Sequence, residues 1–395
     1  MSRSLTAHPS PGLLLNSGFI LTGMVTTLLG PLLPVYKARW ALSDTQAGYF
    51  FVAQFLATTL VTATSTAIIA RAGSRKTLVA GYTIMAAGVA MLSVAQWPLA
   101  LYATFVYGLG LGLAVPATNL FVAAAQRESR NAGALNVVNF FWGVGAVALP
   151  ALISATGPHF VPHLLAGLAM LLLLVTVCFL KFFPRAVRDV SAENDVPQSA
   201  ERGSLLTLAA LSAAFFLYVG AENAVGGWIA SYARHYMAGG SGWALTTASF
   251  WGGLLAARAG APALLRMVRE KRLVQSGILL ACAGIAIVLA ISNAVGISAG
   301  AFLAGAGMGP VFPSLILLLT SLLGKTVSRN GGPIFAIGGL GGAALPLLVG
   351  VVSTQLGALH FGLWVPLAAL AVLFFIYGRI SGRGTPLLVN PDAAC

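Results

Sequence analysis

Pro162-His-Leu-Leu-Ala-Gly-Leu-Ala-Met-Leu-Leu-Leu-Leu-Val-Thr-Val-Cys-Phe-Leu-Lys-Phe-Phe183 runs straight into Pro184 to Gly203, where seven of twenty residues are charged and Pro, Ser and Asn fill the gaps. A helix needs roughly 20 apolar residues to cross the hydrocarbon core of a bilayer, and the first stretch supplies them. The second has too little apolar surface to pack and reads as a polar linker. Outward from this pair the same pattern recurs on both sides. Apolar runs lie at 13–36, 45–69, 76–95, 98–122, 132–155 and 162–183, then at 204–235, 242–264, 272–292, 294–322, 330–356 and 361–380. These are twelve expected spans, six before the linker and six after it. Composition agrees: 58% of the 395 residues are hydrophobic and 8% charged, against roughly 25% charged in soluble domains.

Charge placement orients the spans. With the N-terminus in the cytoplasm, 19 of the 22 Lys and Arg fall in cytoplasmic segments, and only Lys37, Arg39 and Arg234 fall outside. The positive-inside rule demands such a bias, and one missed helix would invert every later loop. The expected location is the cell inner membrane, multi-pass, with both termini cytoplasmic. The net charge of +13 is therefore loop charge facing a lipid surface, and no nucleic-acid partner is expected. The run from Leu13 to Val35 is long enough to span, so no cleaved leader is expected. Cys178 and Cys282 lie in apolar runs and Cys395 ends the chain, with no spacing that suggests a disulfide or a metal site. The five His carry no catalytic or ligand spacing, and no enzyme is expected.

The halves echo one another. Ala70-Arg71-Ala72-Gly73 returns as Ala257-Arg258-Ala259-Gly260, Gly110-x-Gly112-x-x-x-Pro116 as Gly307-x-Gly309-x-x-x-Pro313, and Ala148-Leu149-Pro150 as Ala344-Leu345-Pro346. Three matches in order, at offsets of 187, 197 and 196 residues, point to a duplicated six-helix unit whose halves rock about a central site. The domains expected are 1–183, a cytoplasmic linker at 184–203, and 204–395.

Particular stretches carry a family resemblance. Thr66 to Lys76, with Arg71, Gly73 and Arg75-Lys76, is similar to the loop between spans 2 and 3 of the major facilitator superfamily, though Thr66 stands where that loop has Gly and Ala70 where it has Asp. Within the superfamily the chain resembles the fucose–galactose–glucose symporter branch. Leu42-Ser43-Asp44-x-Gln46-Ala47-Gly48, Ala117-Thr118-Asn119-x-Phe121-Val122, Leu217 to Glu222 with Gly227-Trp228, Phe312-Pro313-Ser314, and Gly338 to Pro346 carry the likeness. The resemblance implies an all-α integral membrane fold of twelve transmembrane helices in two pseudo-symmetric six-helix bundles. It also implies secondary transport of a monosaccharide. Proton-coupled members of the branch carry acids where Gly30 and Val115 stand here, so coupling is either different or absent. The competing resemblance is to drug antiporters, whose span 5 pattern of Gly-Pro then Gly-Gly is replaced by Leu149-Pro150-Ala151-Leu152.

Candidate site residues follow from polarity inside the spans. Glu222 alone among nine acids lies deep in a span, where a charge costs roughly 3 kcal/mol. It reads as substrate-binding and ion-coupling, or as a protonated hydrogen-bonder between helices. Tyr218 lies one turn earlier, Asn223 follows, and Gly226-Gly227 offer a place for the helix to unwind beside a cavity. Asn136, Asn139, Trp142 and Gly143 share a face of span 5, where amides suit hydroxyls and an indole suits the apolar face of a sugar. The alternative for that face is packing between helices. Asn119, Gln54, Trp251, Tyr107, Thr22 and Thr26 are further candidates with the same alternative. Trp228 and Trp364 read as an interfacial belt, and Arg258, Arg71 and Arg75 as contacts to lipid headgroups or interdomain carbonyls. The function expected is alternating-access transport of a small polar solute, glucose or galactose in type. The chain is expected to act as a monomer, without cofactor and with H+ or Na+ as the possible coupling ion. The alternative is efflux of amphipathic compounds.

Overall fold

The computed structural model describes residues 11–129, 133–184, 205–237, 240–323 and 327–381; Arg185 to Gly203 of the expected linker lie outside them. The regular structure among the described residues is all helical, with no strand. Twelve rods appear where twelve were expected. Span 1 is Pro11–Thr26 with Leu29–Trp40, followed by Asp44–Ala72, Ser74–Val94, Leu99–Ser129, Ala134–Thr156 and Val161–Phe182. Spans 7 to 12 are Leu205–Tyr236, Ala244–Leu264, Glu270–Ala290, Ala294–Met308 with Val311–Leu323, Val327–Leu356, and Trp364–Ile380. Eleven of the rods are long and apolar enough to cross a membrane. Span 8 has the length, but Thr246, Thr247, Ser249 and Arg258 lower its hydropathy.

Two rods are broken, each beside a proline. Pro31 has no N–H to return to the Thr27 carbonyl, and Pro310 none to return to Ala306. Thr26 and Thr27 also bond back to Thr22 and Gly23 carbonyls, at 2.7 and 3.0 Å, which bends helices further.

The duplication is visible in the packing. A Cβ on Gly110 would lie 2.6 Å from the Gly81 carbonyl, and one on Gly307 2.3 Å from the Gly277 carbonyl. These spans 3–4 and 9–10 contacts are related by 196 and 197 residues. The two positions must be glycine because the backbones touch, which is how helices associate where lipid supplies no hydrophobic drive.

The halves meet where spans 2 and 11, 5 and 8, and 1 and 7 pack. Among the described residues, every hydrogen bond between halves lies at one end. Arg234 donates to the Pro34 carbonyl, Ser241 to the Ser154 carbonyl, Ser353 to Asp44, and Thr45 bonds Thr354 and Gly350. That end is the closed face. The opposite end, where Arg71, Arg75, Lys76, Arg266, Arg269, Lys271, Arg272 and Arg379 gather, is the basic face.

Candidate functional site

Halfway along the rods, between the closed face and the basic face, Thr26 sits at the break in span 1. Its carbonyl, freed near the helix end, accepts Gln54 Nε2 at 3.1 Å. Gln54 Oε1 accepts the Tyr107 hydroxyl at 2.8 Å. The Thr26 hydroxyl accepts Trp142 Nε1 at 3.3 Å. Spans 1, 2, 4 and 5 are thus tied by one polar chain, which fixes the Trp142 ring. Gln54 and Tyr107 are buried and engaged with each other. Thr22 turns away to Tyr82 on span 3, 3.0 Å between hydroxyls.

Trp142 meets Trp251 of span 8 edge to face, with centroids 5.7 Å apart. An edge-to-face pair is a favourable aromatic geometry, and this one spans the two halves. Trp251 is 4% exposed, and its indole N–H has no hydrogen-bond partner. One turn earlier, the Thr247 hydroxyl is likewise buried and unpartnered. A buried donor without an acceptor costs roughly 1–3 kcal/mol, so both are groups that a polar ligand would satisfy. Just beyond, toward the closed face, Gly30 approaches Gly226 so nearly that a Cβ would stand 2.7 Å from its carbonyl and 3.0 Å from Thr247. No titratable side chain fits at position 30.

Toward the basic face the span 5 amides follow. Asn139 Nδ2 donates to the Leu135 carbonyl at 2.8 Å and to Asn119 Oδ1 at 3.4 Å. Asn136 and Asn139 are exposed while Trp142 is half-buried, so the face runs from open space to the aromatic pair. Asn136 is not drawn into the polar chain.

In the other half Glu222 lies on span 7, 9% exposed. Arg258 Nη2 of span 8 stands 4.0 Å from its Oε1, and Arg258 Nε donates to the Gly309 carbonyl at 3.4 Å. The expectation that Arg258 reaches lipid headgroups or the other half is therefore corrected. It is held inside its own half, because a carboxylate in the membrane core needs a counter-charge. The signal was present: Glu222 and Arg258 are both ionisable residues inside spans. Tyr218 is buried and donates to the Met308 carbonyl at 3.2 Å, at the break in span 10. Asn223 Nδ2 returns to Val219 at 2.8 Å.

Three other expectations change. Span 7 does not unwind at Gly226-Gly227; it is continuous, and those glycines admit the Trp251 and Phe51 rings. Trp228 is no interfacial residue: it is fully buried, packs on Phe51 and donates to the Pro346 carbonyl at 2.9 Å. Arg75 binds the Phe179 and Leu180 carbonyls, tying span 3 to the end of span 6. Trp364 is exposed near a span end.

The geometry can be set beside known proteins. The chain is 26% identical to a Helicobacter pylori protein called putative glucose/galactose transporter, over 91% of this chain and 94% of that one. It is 23% identical to bypass of stop codon protein 6 of Saccharomyces cerevisiae, over 91% and 81%. Among solved structures, the fucose:proton symporter in its outward conformation superposes with a TM-score of 0.60 at 21% identity, covering 94% of this chain and 99% of that one. An inward-facing bacterial homologue of the human lysosomal transporter Spinster reaches 0.72 at only 14% identity, covering 95% and 96%. Residues 15–346 match the profile of the Major Facilitator Superfamily, and with twelve rods in two glycine-packed, duplicated sets, the chain belongs to that superfamily.

Proposed function

We propose that the chain carries a monosaccharide of glucose or galactose type across the inner membrane by alternating access, as a monomer. The observation that carries this reading is the Trp142–Trp251 pair, flanked by unpartnered donors on one side and by Asn119, Asn139 and Asn136 on the other. An indole covers the apolar face of a pyranose, while amides and buried donors pair with its hydroxyls. The relative named as a glucose/galactose transporter supports the same class. Two six-helix halves, joined by the 184–203 segment, would supply one wall each. Positive-inside orientation puts the basic face and both termini in the cytoplasm, so the hydrogen-bonded, closed face is the outward one.

Glu222 is the coupling group in this reading. A carboxylate whose cationic neighbour among the described residues stands 4.0 Å away can exchange that neighbour for a proton. A second cation beside Arg258 is disfavoured, which favours H+ over Na+. Calorimetric titration of purified protein with a panel of hexoses tests the site. Binding of glucose or galactose that Trp142→Ala and Trp251→Ala both weaken supports the reading. Binding of amphipathic cations, with none of any hexose, would place the chain among efflux antiporters instead.

A further inference from the structure

The stretch Leu42 to Gly48 carries family likeness, yet the transport site uses none of it. At the closed face it has a physical role. Span 2 starts at Asp44 behind a capping box: Gln46 N–H donates to Ser43 Oγ at 3.2 Å, and Ser43 N–H to Gln46 Oε1 at 2.9 Å. A capping box satisfies two donors and leaves other first-turn N–H groups orphaned. The Thr45 N–H is one, and its acceptor belongs to the other half: Thr354 Oγ1 of span 11, at 2.9 Å. The Thr45 hydroxyl donates to the Gly350 carbonyl at 3.4 Å. Asp44 pairs with Lys37 in its own half and accepts the Ser353 hydroxyl from the other. A Cβ on Gly350 would lie 2.3 Å from the Asp44 carbonyl, and one on Gly48 3.0 Å from Leu347.

We propose that the start of span 2 and the Gly350–Thr354 segment of span 11 form a latch, in which one half caps a helix of the other and so holds this face shut. Opening strips the cap supplied by span 11 and keeps the capping box. Water then takes over the Thr45 N–H and the Asp44 carboxylate, which makes the latch reversible at small cost. The latch rests on alternating access but on no particular solute, so its test uses none.

The test is thiol alkylation of the purified full chain with Cys178, Cys282 and Cys395 replaced by Ala. Thr247→Cys reports opening, because Thr247 is fully buried beneath the latch. Val89→Cys, fully buried in span 3 away from it, reports general loosening. Ser353→Ala with Thr354→Val is expected to raise the alkylation rate at position 247 by about thirtyfold, the order that losing two net hydrogen bonds supplies, and to leave position 89 unchanged. No change at position 247 would overturn the latch, and so would an equal rise at both positions.

Discussion

Among the described residues, Arg258 is the cation that pairs with Glu222, and Arg258→Gln removes it. At 4.0 Å and an effective dielectric of about 20, the attraction is about 4 kcal/mol. Arg258 keeps 28% of its side chain exposed, and water screening reduces the net coupling to roughly 1–3 kcal/mol. The assay is a double-mutant cycle of wild type, Arg258→Gln, Glu222→Gln and the double variant, read by unfolding titration in mixed micelles. Arg258→Gln alone should destabilise most, because it leaves an uncompensated carboxylate. Adding Glu222→Gln should recover much of the loss, since the amide needs no counter-charge. The two changes should therefore fail to add by about 1–3 kcal/mol. Additivity within roughly 0.5 kcal/mol would mean the pair is not coupled, and the role given to Arg258 would fall.

Trp251→Phe keeps the ring and removes the unpartnered N–H, so hexose affinity should drop by about 1 kcal/mol, near fivefold; unchanged calorimetric affinity would return Trp251 to a packing role. Asn139→Ala should weaken the same affinity by about 1–3 kcal/mol, and no effect there would make the span 5 amides structural. Gly30→Leu should hold the closed face apart, since its Cβ would stand 2.7 Å from the Gly226 carbonyl; alkylation at Thr247→Cys should rise, and an unchanged rate would show that this contact is not needed for closure. In intact cells a membrane-impermeant maleimide should label His360→Cys at the closed face and spare Ser381→Cys, and the reverse pattern would invert the orientation.

The spans were legible because apolar runs, prolines and Lys/Arg clusters are local features of the chain. The Gly110 and Gly307 echoes were legible for the same reason, and they mark real backbone contacts with Gly81 and Gly277. Partnerships across spans were not legible. Nothing beside Gln54 in sequence announces that its amide joins Thr26 to Tyr107. Trp228 looked interfacial because it lies toward a span end, yet its indole N–H is spent on the Pro346 carbonyl. Gly226-Gly227 suggested a weak point in span 7, but the space they leave is filled by aromatic rings from spans 8 and 2. Each charge taken alone misplaces Arg258, because a buried acid and a cation inside neighbouring spans call for each other.

Uptake of labelled glucose and galactose into proteoliposomes under an imposed proton gradient tests the account most directly. Wild type should concentrate one of the two above its equilibrium level. Glu222→Gln should lose that accumulation while still exchanging the sugar down its own gradient. Full concentrative uptake by Glu222→Gln would contradict the coupling, and no entry of either sugar through the wild type would contradict the account as a whole.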